Sequence, residues 1–127
     1  MNAKHIVAAL AGLSLAALPV VAGAHGSTKP VHGGIVVMSG ETVIEMVRAP
    51  KGVEIYLTEE DEPLAASGFD GKLIVTAGGA KQETALVPQA GNKLTAPGLK
   101  IPAGAKVVVS LTAKGSGAKT LASFAVK

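Results

Sequence analysis

Cysteine is absent from this chain of 127 residues. That absence excludes disulfides, thiolate metal sites, a cysteine nucleophile and a lipid anchor built on cysteine. Small exported domains often lean on disulfides, so sheet packing alone must hold this one together. Aromatic residues are also scarce: there is no Trp, one Tyr and two Phe. Val, Leu, Ile and Ala must therefore fill the core. No run of basic residues occurs. Lys51, Lys72, Lys81, Lys93, Lys106 and Lys114 are scattered singly, and the formal net charge is only +3. Nucleic-acid binding needs a clustered basic face, often with stacking aromatics, so no nucleic-acid partner is expected.

The common catalytic patterns are missing as well. There is no G-x-S-x-G elbow, no P-loop, no dinucleotide fingerprint after a strand and no H-E-x-x-H helix. The chain is expected not to be an enzyme. A copper-dependent oxidative enzyme acting on a polymer would need aromatic contacts to its substrate, and Tyr56, Phe69 and Phe124 are too few to supply them.

What is present begins with an address. Met1 to His5 is short and carries one cation, Lys4. Ile6 to Leu18 is apolar, interrupted only by Gly12 and Ser14, and Pro19 breaks any helix. Ala22-Gly23-Ala24 then supplies the small residues a signal peptidase reads. A retained membrane anchor would need a longer apolar stretch. The expected organisation is a secretory signal peptide over 1–24, a flexible polar lead-in over 25–30 and one folded domain over 31–127. The alanine-rich style points to the bacterial periplasm, with no stable membrane insertion after cleavage.

The mature chain reads as strands. Ile35-Val36-Val37-Met38 ends at Ser39-Gly40, and Thr42 to Val47 ends at Ala49-Pro50-Lys51-Gly52. Val53, Ile55 and Leu57 alternate with Glu54, Tyr56 and Thr58, the period of a half-buried strand. Further apolar runs occur at Leu73 to Val75, Thr84 to Val87, Val107 to Val109 and Leu121 to Val126. Gly33-Gly34 and Gly78-Gly79 sit where turns or strand ends are expected, and Glu59 to Glu62 reads as a solvated acidic turn. Pro97, Pro102 and several glycines make Ala96 to Gly104 a connecting loop. The predicted fold is all-β: a single immunoglobulin-like antiparallel β-sandwich of about seven or eight short strands.

The one chemical lead is a pair of histidines. His5 leaves with the signal, and cleavage after Ala24 makes His25 the first mature residue. Its α-amine and imidazole together can chelate a metal. The imidazole of His32 would complete a three-nitrogen, T-shaped set suited to Cu(II), which prefers nitrogen ligands in tetragonal geometry. The stretch between them is short enough to fold back at small entropic cost. The α-amine has an ordinary pKa of about 7.7–8.0, so the metal must compete with a proton. The plain alternative is a solvated pair of histidines. Met38 and Met46 lie on successive predicted strands, where they could approach each other and offer soft ligands to Cu(I); the alternative is that both are core filler. Glu45 has two readings: an outward residue on an alternating strand, or a carboxylate aimed at a site formed by the first hairpin.

His32-Gly33-Gly34-Ile35-Val36, Glu45-Met46-Val47, Val53 to Thr58, Pro63 and Gly71-Lys72-Leu73 together resemble small periplasmic proteins associated with bacterial heavy-metal resistance. The same run is similar to a β-rich segment of the adaptor subunits of heavy-metal efflux pumps. The resemblance lies within Val31 to Val87. It implies a periplasmic accessory in metal handling that binds or passes a copper ion, with zinc as the alternative, or docks on an efflux-pump subunit. It gives His32 the metal role and Glu45 a part as its partner. The histidine- or methionine-rich tail of many metal-resistance proteins is missing here. The competing expectation is a metal-free periplasmic interaction module that docks through a sheet edge.

Overall fold

A computed structural model describes residues 28–127. The expected signal segment 1–24 and His25 lie outside the described residues. The described chain is nearly all β. Its strands are β1 (Ile35–Ser39), β2 (Thr42–Ala49), β3 (Gly52–Glu59), β4 (Glu62–Pro63), β5 (Phe69–Ala77), β6 (Ala80–Pro88), β7 (Lys93–Pro97), β8 (Lys106–Ala113) and β9 (Lys119–Ala125). One short 3-10 turn, Ala66–Gly68, joins β4 to β5. No helix among the described residues is long and apolar enough to cross a membrane.

All pairings are antiparallel, in the order β1-β2-β3-β7-β6-β5-β8-β9, with the two-residue β4 on β3. The ends of this order, β1 and β9, come alongside each other without forming a ladder, so the sheet nearly closes into a barrel. β6 joins the two halves. Ala80 to Leu86 pair with β5, and only Val87 and Pro88 pair with β7.

Alternation decides what lies inside. Ile44 and Met46 of β2, Val53, Ile55 and Leu57 of β3, Leu73 of β5, Leu94 of β7 and Val107, Val109 and Leu111 of β8 form one continuous core. As the composition demands, it is aliphatic; Phe124 is its one fully enclosed aromatic ring among the described residues. Burying each such side chain is worth about 1.5–3 kcal/mol, which takes the place of absent disulfides.

Two local expectations change. Pro97, Pro102 and the glycines predict a loop from Ala96, but β7 continues to Pro97 and pairs with β3 on the side away from β2. β7 is short and flanked by Gly91-Asn92 and Gly98, so its apolar signal is only Leu94 and Ala96. Met38 and Met46 do not meet: Met38 faces Val43 and Met46 faces Ile35, three ladder positions apart. Met46 is core, and the pair makes no soft-ligand site.

Candidate functional site

The first hairpins set the geometry. β2 and β3 are joined by the two-residue turn Pro50-Lys51, with Ala49 opposite Gly52. That register places Glu45 opposite Tyr56. Since Ile44, Met46, Ile55 and Leu57 point into the core, Glu45 and Tyr56 both point to the outer face. Glu45 is nevertheless buried, with 5% of its surface exposed. The cause is the segment before β1, which folds back over it.

Four donors converge on the Glu45 carboxylate. The backbone N–H of Val31 donates at 3.1 Å, that of His32 at 2.9 Å and that of Gly34 at 2.9 Å. The fourth is the His32 ring, whose Nδ1 lies 3.0 Å from Oε1. Two glycines make this possible. Gly33 adopts φ +74°, a region that disfavours L side chains. Gly34 passes so close to β2 that a Cβ there would collide with the Met46 carbonyl. The His-Gly-Gly sequence is thus a clip fastened to a buried carboxylate.

Burial alone would push the Glu45 pKa up. The Gly34 N–H, the His32 ring and the N–H groups of His32 and Val31 outweigh it and hold the carboxyl below its ordinary value. An ionised carboxylate only accepts hydrogen bonds, so His32 Nδ1 carries the proton. In the neutral ring the lone pair then sits on Nε2, the nitrogen turned away from Glu45.

The ring plane is fixed as well. His32 stacks on Tyr56 with centroids 3.6 Å apart and planes inclined by 8°. The Tyr56 hydroxyl donates to Glu54 at 3.3 Å, and Glu54 also pairs with Lys93 at 3.2 Å. Burial and the Glu54 charge raise the Tyr56 pKa, so the phenol stays neutral and keeps its proton for that bond. His32 keeps 40% of its side chain exposed. It lines a cavity of about 330 Å³ together with Glu45, Tyr56, Thr58, Asp61 and Asn92. A larger groove of about 450 Å³ lies across the β2–β3 turn and β7, but it holds no imidazole.

No family model, curated protein or solved structure matches this chain. Function must be argued from the site itself.

Of the three residues singled out in the sequence, His32 and Glu45 come together, and His25 lies outside the described residues. Among the described residues no group of three or more His, Cys, Asp or Glu side chains is arranged to hold a metal ion. Two further members of the site, Tyr56 and Asp61, carry no chemical signal of their own in the sequence. Tyr56 was read only as an outward residue, although a two-residue turn at Pro50-Lys51 already places it opposite Glu45. Asp61 is exposed, as the solvated acidic turn predicts, and still reaches the site. It follows Glu60 in a tight turn where both residues have positive φ, +51° and +64°, and it borders the His32 cavity. The chain folding that puts Asp61 there leaves no local mark in sequence.

Proposed function

We propose that this is a periplasmic metal-binding accessory protein for copper-like ions, with zinc as the alternative, linked to heavy-metal resistance or efflux. One observation carries the reading: an exposed imidazole whose Nδ1–H is held by a buried carboxylate and whose face is held by a tyrosine. Metal-ligating histidines commonly donate their other ring N–H to a carboxylate, which fixes the tautomer and raises ligand basicity. In this reading His32 Nε2 is the ligand. Glu45 is a positioning residue, because its oxygens already accept from four donors. The α-amine and imidazole of His25 complete a three-nitrogen set for Cu(II) once the signal is removed. An efflux-pump subunit is the proposed protein partner. The two halves of the sheet, hinged at β6, are proposed to act as the two layers of an immunoglobulin-like sandwich.

The test is a Cu(II) titration of exported protein whose N-terminus has been checked by mass spectrometry. One-to-one binding that is lost in His32→Ala, and weakened about 10–100-fold in Glu45→Gln, supports the proposal. Absence of binding with His25 confirmed as the first residue overturns it. A metal-free docking module is the second reading, favoured by the β6 edge over Ala80 to Ala85, which no strand among the described residues pairs.

A further inference from the structure

The β5–β6 hairpin closes through Gly78-Gly79, whose φ angles are +57° and +80°. Positive φ at both central residues is the type I′ turn, and a two-residue turn of this kind is flanked by a hydrogen-bonded pair, here Ala77 and Ala80. Hydrogen-bonded pairs alternate along an antiparallel ladder. Ala80, Gln82, Thr84 and Leu86 therefore direct their N–H and C=O groups to β5. Lys81, Glu83 and Ala85 direct theirs to the other side. On that side β7 reaches only Val87 and Pro88. Among the described residues, no strand pairs with the outward edge of Ala80 to Ala85, and five of these six residues are exposed.

We infer that this free edge of β6 docks a second copy of the chain, antiparallel and two-fold symmetric about Gln82. The sequence of the edge, Lys81-Gln82-Glu83, is its own complement when reversed. Lys81 then faces the second copy's Glu83, and Glu83 faces the second copy's Lys81. Both residues lie on the outer face, since their neighbours Gln82 and Thr84 oppose the inward Val75 and Leu73. The outward backbone groups of Lys81 and Glu83 exchange four main-chain hydrogen bonds across the axis. Moving the axis to Lys81 would set two lysines face to face, and moving it to Glu83 would oppose two glutamates. Either costs stability, so charge selects the register. Lys72 already lies 3.7 Å from Glu83, and it extends the pair into a row of alternating sign. Lys81 and Glu83 discourage pairing with an uncharged or like-charged strand, but in this register each meets its opposite. The resulting interface is isologous and closes as a dimer.

The test is sedimentation equilibrium of the full mature protein up to about 0.5 mM, with chelator present so that the outcome is independent of the metal reading. The wild type should show a reversible dimer. Lys81→Glu and Glu83→Lys should each weaken it by about tenfold or more, with unchanged circular dichroism. An equimolar mixture of the two variants should regain dimer, because their edges are complementary to each other. The double variant K81E/E83K should also regain it. A wild-type protein that stays monomeric throughout, a dimer that persists in both single variants, or a mixture that fails to associate overturns the inference.

Discussion

Glu45 on β2 and Glu83 on β6 begin in the same circumstance. Each sits on the outer face of a hairpin closed by a two-residue turn, and each neighbours inward-facing residues on its strand. Their fates are opposite. The Glu45 side chain is 6% exposed and the Glu83 side chain 55%. The difference comes from what lies over the sheet. Residues Val31 to Gly34 fold across Glu45 and satisfy it with backbone N–H groups, whereas among the described residues nothing comparable covers the β5–β6 hairpin. Alternation assigns a residue to a face; whether that face is wet is decided by a segment that alternation does not describe.

The largest expected effect is on Glu45. Glu45→Ala strands three part-buried backbone N–H groups and the His32 Nδ1–H, and should cost about 3 kcal/mol in urea denaturation. Glu83→Ala should stay within about 0.5 kcal/mol. Equal losses at the two positions would break the comparison. Gly34→Ala should cost about 2 kcal/mol, because the new methyl meets the Met46 carbonyl and lifts the clip off the strand.

Acid should separate the two carboxylates next. The folded-state pKa of Glu45 is depressed, so its contribution is fully present above the unfolded carboxylate pKa of about 4.3. It is lost as pH falls through the lower folded value. The stability gap between wild type and Glu45→Gln should therefore be widest at neutral pH and shrink in strong acid. A gap that widens on acidification would mean that the carboxyl is bound protonated. A smaller effect than at Glu45 or Gly34 is expected at Tyr56. Tyr56→Phe keeps the stack and gives up one part-buried hydrogen bond, at about 0.5–1 kcal/mol. The ring-current shift of the His32 Hε1 proton should persist in Tyr56→Phe and vanish in Tyr56→Ala.

Much of the barrel was legible because aliphatic alternation is a local signal. Val53, Ile55 and Leu57 announce an inward face, and the core contains all three. β7 was not legible, since Leu94 and Ala96 alone are too few to reveal a strand among glycines and prolines. His32 and Glu45 could be named from sequence as candidates. Their contact could not be derived from it, because they are joined by a fold-back of the chain.

The sequence by itself determined the strand periods, the aliphatic core and the absence of any thiol chemistry, because these follow from composition and neighbouring residues. Only the tertiary structure decided that an outward glutamate is buried, that it holds the Nδ1 side of one histidine, that a tyrosine supports the ring, and that β7 pairs with only the last two residues of β6. Each of these depends on where distant segments come to lie, and the same alternating pattern is compatible with a covered face or an open one.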